Sequence, residues 1–359
     1  MEADTMDFAQ LESSVWQRLA EERRPIVLYG MGDGADKILT QFERFGIKIS
    51  AVFASDEFVR GHSFHGFPVQ RLCEVQEKFG EDIVIVISFA SQRPDVLERM
   101  YALDAKFDVV APDVPVAGED LFDEAFVRQH AEQMKRAYAL LADEQSRRVF
   151  LDTVRFKLSG RLCYLRQSET TKDEIFNAVL RPSQQEHFAD LGAYNGDTIR
   201  ELLSYTEKAF ASVTALEPDR RNFRKLSRYA EEMLSGEVRL IQAGAWDCDT
   251  EQCFAAKAGR QSRIAERGIM VPMRSLDSVL HGAPCTMLKM DVEGAEREAL
   301  QGAANTIRRF HPKLNIAAYH RSEDFFALPL LVHSLQSDYR IYLRHHPYVP
   351  AWDTNLYAI

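Results

Sequence analysis

The sequence predicts an α/β protein made of two parallel-sheet units in tandem. Three observations carry that expectation. Short apolar runs alternate with amphipathic stretches twice, over 26–111 and again over 187–359. A glycine-rich turn follows the first apolar run of each series. Between the two series, 121–158 repeats apolar residues such as Phe122, Phe126, Met134, Tyr138 and Leu141 at three- and four-residue steps. At 359 residues the chain is long enough for two sizeable cores. We therefore expect a small Rossmann-like α/β domain over 1–115, a helical connector over 116–160 and a larger doubly wound domain over 161–359.

The elements follow in order. Phe8, Leu11, Val15 and Leu19 share one face of a helix expected over 7–24. A buried strand is expected at 26–29, a tight turn at 30–34 and a helix at 35–45 closed by Gly46. Strands at 47–53, 83–88 and 107–111 then alternate with helices near 72–79 and 95–103, with a polar loop around Gly61 and Gly66. Pro112 and Pro115 mark the exit, and Gly160 closes the helical stretch. In the second unit strands are expected at 187–191, 212–217, 237–243, 285–290, 313–319, 339–344 and 354–359, and helices near 197–205, 219–234, 294–309 and 325–337. That pattern suits a seven-stranded doubly wound sheet whose last strand is an antiparallel edge. An insertion at 247–272 precedes a strand-like VPMRSL at 271–276.

Composition narrows the partners. A net charge of −10, from 44 basic and 54 acidic residues, gives no electrostatic reason for binding nucleic acid or an anionic membrane. The five cysteines are scattered and suggest neither a zinc site nor a disulfide framework. The acidic start is unlike a signal peptide and no apolar run is long enough to span a bilayer, so a cytoplasmic protein is expected.

The stretch HFADLGAYNGDTI, 187–199, puts Asp190 at a strand tip, then Gly192, Ala193, Tyr194, Asn195 and Gly196, with Asp197 and Thr198 opening a helix. Ligands of open parallel sheets sit outside the carboxyl ends of the strands, and glycines let the backbone come close to them. No lysine accompanies these glycines, so this is not a phosphate loop. Glu217 ends the next strand, where a carboxylate accepts both hydroxyls of a ribose. Asp190 would repel a pyrophosphate but suits a cationic amine. A ligand with an amino acid end, a ribose and no phosphate fits both acids, and S-adenosylmethionine is such a ligand. The third strand tip, Ala243-Gly244-Ala245, has no acid for an adenine, leaving Trp246 or Asp247 to contact it. The fourth strand ends in LKMDVEGAE, with Asp291, Glu293, Gly294 and Glu296; these acids serve a helix start as well as they serve a crevice.

DLGAYNGDT, LEPD, LKMDVEGAE and PKLNIAAYH together resemble FkbM-type methyltransferases over about 160–359. The resemblance implies a seven-stranded class I methyltransferase fold and methyl transfer from S-adenosylmethionine, most often to a hydroxyl of a sugar, polyketide or similar small molecule. By motif it implies that Asp190, Gly192, Gly196 and Glu217 bind that cofactor and that Asp291 and Glu293 border the reacting centre.

Hydroxyl methylation gains from a base near the acceptor. Strand five ends in Tyr319, His320 and Arg321, and strand six in Arg344, His345 and His346, so His320, with one of the other two histidines, is the candidate base. A divalent metal held by Asp291, Glu293 and His320 is an alternative. In the first unit GMGDGA supplies Gly30, Gly32 and Gly34, and Asp56 follows, matching a dinucleotide fingerprint. This leaves two alternatives open: an NAD(P)-dependent oxidoreductase, or a non-catalytic nucleotide-binding scaffold. The first unit also resembles small nucleotide-binding-like domains attached to sugar-modifying enzymes, which implies a substrate-handling or nucleotide-sugar site. Acceptor choice is expected to lie in 247–272, in the loop after His346 with Trp352 as a lid, and in the first domain. The partner expected is a small-molecule or glycan acceptor, and the sequence leaves a homo-oligomer open.

Overall fold

The computed structural model describes residues 7–254 and 269–359. The helix expected over 7–24 is broken. A single 3-10 turn, Phe8–Gln10, is separated from α1 (Val15–Glu21) by Ser14 in an extended conformation. Then come β1 (Ile26–Tyr29), α2 (Asp33–Phe45) and β2 (Ala51–Phe53). The second strand starts later than predicted because Ile47 N–H still caps α2, donating to Phe42 O at 2.8 Å. The predicted polar loop contains a hairpin, β3 (Ser63–Phe64) and β4 (Phe67–Gln70), turned by His65 and Gly66, both at positive φ. The unit ends with α3 (Leu72–Phe79), β5 (Val84–Ile87), α4 (Pro94–Asp104) and β6 (Asp108–Val110). Its six strands lie in the order β3-β4-β2-β1-β5-β6, parallel throughout except for the hairpin.

The connector is two helices, α5 (Glu124–Leu140) and α6 (Glu144–Ser159), capped by Asp123 and Asp143. Phe122, Val149 and Phe150 join Leu288, Ile316 and Phe325 in one core, so this pair forms a layer on the second sheet. After α7 (Leu162–Ser168) and α8 (Lys172–Glu174), a π-helical turn over Ile175–Leu180 leads into that sheet.

The second unit runs β7 (His187–Leu191), α9 (Asp197–Tyr205), β8 (Ser212–Leu216), α10 (Arg220–Met233) and β9 (Glu237–Ile241). A small side sheet follows, β10 (Gly244–Ala245), β11 (Thr250–Phe254) and β12 (Ile269–Arg274), ordered β10-β12-β11. The strand expected at VPMRSL is β12; of the insertion at 247–272, positions 255–268 lie outside the described residues. Then come α11 (Leu276–Leu280), β13 (Met287–Met290), α12 (Glu296–Gln301), α13 (Ala304–Phe310), β14 (Lys313–Ala317), α14 (Asp324–Leu335), β15 (Ile341–His345) and β16 (Thr354–Ala358). The helix expected over 294–309 is split at Gly302, where a Cβ would stand 1.9 Å from Trp246 O.

All seven expected strands form one sheet in the order β15-β16-β14-β13-β7-β8-β9. The last strand is antiparallel, as predicted, but it is not an edge. β16 is inserted between β14 and β15, pairing antiparallel with both, and β15 takes the edge. Because β15 and β16 are consecutive, they pair as a hairpin whose second arm then docks on β14.

The two units are tied directly. Ser91 and Val349 exchange backbone hydrogen bonds of 2.9 and 3.0 Å, while Lys157 of the connector pairs with Asp113 of the first unit at 2.7 Å, both side chains 3% exposed. Among the described residues no helix is long and apolar enough to cross a membrane.

Candidate active site

A cavity of about 580 Å³ opens at the carboxyl ends of β7, β8, β13 and β14. Its far wall comes from the first unit and the connector: Ala90 and Gln92 after β5, and Val116–Gly118. The crevice predicted from strand order is therefore present, and the small domain closes it.

Gly192 fixes the floor. It sits at φ +85, and a Cβ there would lie 1.9 Å from Asp291 O, so only glycine allows the β7 turn to press on the β13 tip. The same turn sends two N–H groups, of Gly192 and Ala193, to Leu216 O at 3.0 Å each. Tyr194 N–H donates to Glu217 Oε2 and Asp219 N–H to Glu217 Oε1, both at 2.8 Å. Burial pushes the Glu217 carboxyl up to about 7 against those two hydrogen bonds.

Seven residues expected at the cofactor site line the cavity: Gly192, Tyr194, Asp197, Thr198, Glu217, Trp246 and Asp291. Four do not. Asp190 is fully buried behind Thr198, whose hydroxyl donates to it, and its Oδ1 has no partner. Burial pushes its carboxyl up to about 7. It therefore braces the turn from below and does not face a ligand amine, which corrects the expectation. Ala193 is buried, Asn195 is held by Arg200, and Gly196 packs on Tyr229.

Asp291 and Glu293 flank the β13 exit, with Glu293 at φ +55. Burial raises the Asp291 carboxyl, but Lys289 Nζ at 3.4 Å and His320 outweigh it and keep Asp291 below the ordinary carboxylate range. Tyr319 hydroxyl stands 3.4 Å from both Asp291 oxygens. His320 is 1% exposed, with Nε2 3.4 Å from Asp291 Oδ1 and 3.8 Å from Glu293 Oε2, and Nδ1 2.9 Å from Glu296 Oε1. Burial opposes its charge, yet these three carboxylates push the imidazole up to about 10. The surrounding acids thus favour the protonated ring, which works against the free base expected from the sequence.

His345 and His346 are not at the cavity at all. Both are buried in the sheet: His345 Nδ1 meets Thr354 Oγ1 at 3.0 Å, and burial pushes its imidazole down to about 4. His346 Nδ1–H donates to Thr170 O, and Tyr357 hydroxyl donates to its Nε2, both at 2.7 Å. Both nitrogens of His346 are thus engaged, and the Nε2 of His345, though without a partner, is buried away from the cavity lining.

The sequence missed Lys172, Glu201, Lys289, Asn315 and Asp353, all on the cavity wall. Lys289 stands inside LKMDVEGAE and Lys172 precedes the sheet, and neither carried a signal of its own. Trp352 does line the cavity, with Tyr348 beside it at a ring separation of 6.0 Å.

The first unit's fingerprint is used differently. A Cβ on Gly30 would meet the Phe89 ring at 2.5 Å, and one on Gly34 would meet Ser88 O at 2.6 Å. Those two glycines admit the chain after β5. Gly32 has nothing within 4 Å of its missing Cβ, and Asp56 is exposed in a 3-10 turn.

No curated protein matches the chain in sequence. Among solved structures, the methyltransferase FkbM of Methylobacillus flagellatus KT is 22% identical, covers 100% of this chain and 97% of its own, and gives a TM-score of 0.73. That likeness spans both units and shows a shared fold. Aeropyrum pernix fibrillarin with natively bound S-adenosyl-L-methionine is 12% identical over 48% of this chain and 66% of its own, with a TM-score of 0.32. Precorrin-6y C5,15-methyltransferase from Geobacter metallireducens GS-15 is 13% identical over 53% and 89%, with a TM-score of 0.34. At those scores the last two say nothing more of this chain. The family model described as Methyltransferase FkbM domain matches residues 190–350, from the Asp190 turn to the loop beyond His346. The motifs and the family match thus fall on the same segment: residues 190–350 match the FkbM methyltransferase domain.

Proposed function

We propose that the protein is an S-adenosylmethionine-dependent methyltransferase acting on a hydroxyl of a sugar or other small polyhydroxylated molecule. The observation that carries this reading is Glu217: a buried carboxylate on the cavity wall, fixed by two backbone N–H groups and placed one strand over from the Gly192 turn. A ribose diol offers such a carboxylate two donors. The rest of the wall fits the same cofactor. Asp197, Asp291 and Glu293 favour a sulfonium and an ammonium and oppose a pyrophosphate, while Lys172 offers a cation to an amino acid carboxylate. Trp246 and Met273 supply apolar surface for an adenine.

Bound there, S-adenosylmethionine supplies an activated methyl group. The chain's task is alignment. Asp291, held charged by Lys289 and His320, accepts the hydrogen bond of the acceptor hydroxyl and orients it. His320 acts through Asp291 as a positioning residue. Tyr348 and Trp352 offer aromatic faces to the acceptor, and Gln92 of the first unit closes on its far side. The net charge of −10 fits a small acceptor better than a polyanion.

Thermal melting with S-adenosylmethionine, S-adenosylhomocysteine, NADH and NADPH in parallel tests the reading. At a hundred times its dissociation constant, a ligand adds about 2.7 kcal/mol. Stabilisation by the two adenosyl ligands, lost in Glu217→Ala, is expected. Stabilisation by the nicotinamides alone would overturn the proposal. A mass gain of one methylene on a panel of glycosides then checks the acceptor class.

A further inference from the structure

We propose that Asp291, Glu293 and His320 bind a divalent transition-metal ion at the cavity floor, with Glu296 holding the far side of the imidazole. Binding of the ion stands apart from the methyl-transfer reading; only its use on the acceptor rests on that reading.

His320 is 1% exposed, yet its Nδ1 makes no hydrogen bond of good geometry although Glu296 Oε1 is 2.9 Å away. Glu296 is equally buried, and its Oε2 is also without a partner. The other ring nitrogen, Nε2, faces Asp291 Oδ1 at 3.4 Å and Glu293 Oε2 at 3.8 Å, and an ion bound there displaces the proton that these carboxylates otherwise hold on the ring. Such separations are long for hydrogen bonds. They are close to the spacing of donors around one ion, since bonds of ~2.1 Å place neighbouring ligand atoms ~3.0–3.4 Å apart. A carboxylate behind a histidine whose second nitrogen faces further carboxylates is the arrangement that orients metal-binding imidazoles.

The cluster is also held rigid. Ala117 N–H donates to His320 O at 2.8 Å, and a Cβ on Gly294 would meet Ala117 Cβ at 2.5 Å, so the connector clamps both arms. An imidazole with carboxylates selects Mn²⁺, Fe²⁺ or Zn²⁺ over Mg²⁺ and Ca²⁺. Coordination positions on the cavity side would take and polarise an acceptor hydroxyl.

The test is titration of the full chain, stripped with EDTA, with Mn²⁺, followed by the spin resonance of free Mn²⁺ and by calorimetry. One ion per chain is expected. Glu293→Gln, at a partly exposed position, should weaken binding at least about tenfold, and Asp291→Asn should do so further. Circular dichroism checks that both variants fold. No stoichiometric binding at millimolar Mn²⁺, or binding unchanged in both variants, overturns the proposal. So does a site that takes Mg²⁺ as tightly as Mn²⁺, because the imidazole would then have no part in it. Calorimetry with S-adenosylmethionine runs alongside: an ion that binds a chain unable to take the cofactor supports this inference while removing the proposed function.

Discussion

After β1 the turn from Gly30 to Gly34 runs against Ser88 and Phe89; after β7 the turn from Gly192 to Gly196 runs against the backbone of Asp291. Both turns follow a central strand of a parallel sheet, and both use a missing Cβ to let the neighbouring strand exit pass close by. What passes differs. In the first unit it is the Phe89 ring, which also packs edge-on against Tyr29 with centroids 5.0 Å apart, so aromatic surface occupies the crevice. In the second it is a bare peptide followed by acids, and a cavity of about 580 Å³ is left beside it. A glycine pattern therefore reports that two pieces of backbone approach, while the side chain on the second piece decides whether a ligand fits between them.

Substitutions can break this comparison. The largest effect is expected for Gly192→Ala, where the new methyl overlaps Asp291 O and φ is +85. More than about 3 kcal/mol of stability should be lost in urea unfolding, together with cofactor binding. Gly30→Ala, at φ +111, meets the Phe89 ring and Ser88 Oγ, side-chain atoms that can shift where the Asp291 backbone cannot, so it should cost less and leave S-adenosylmethionine binding intact; loss of binding there would break the comparison.

Asp190 gives the next effect, and its sign is definite. Its carboxyl is raised from 3.8 to about 7, so between those pH values the native state holds a proton that the unfolded chain has released. Stability from this group is greatest below about pH 4 and declines until about pH 7. Asp190→Asn should remove that slope and stabilise the protein at pH 7.5 by roughly 2–4 kcal/mol, read as the difference between two pH series. A smaller effect is expected from Glu217→Gln: cofactor affinity should fall about 10–100-fold by calorimetry, from charged hydrogen bonds worth about 1.5–3 kcal/mol. Asp56→Ala, its counterpart in the first unit, should change nothing. Smallest of all, Gln92→Ala should leave cofactor affinity unaltered and shift only the acceptor KM, by a few fold.

The strands were legible because each is a short apolar run between breakers, and the burial of β1, β5 and β13 along their whole length matches that reading. The place of β16 was not legible, since TNLYA reads alike at an edge and inside a sheet. At the site, Glu217, Asp291 and Glu293 were legible as acids at strand ends. The direction of Asp190 was not, because the turn that hides it depends on contact with β13. His345 and His346 misled because their partners come from elsewhere: Thr170 is far back in the chain, and Thr354 and Tyr357 belong to the strand that arrives later. The proton on His320 likewise depends on Glu296, whose burial no spacing rule foretells.

The insertion of β16 between β14 and β15 makes one strand answerable for three connections. β15 meets the sheet through β16, so its place at the edge depends on residues 354–358. The loop that travels with this hairpin carries Tyr348, Trp352 and Asp353 to the cavity wall and Val349 to Ser91. The same short segment thus completes the sheet, finishes the pocket wall and latches the small unit, and without it β14 would present a naked strand edge.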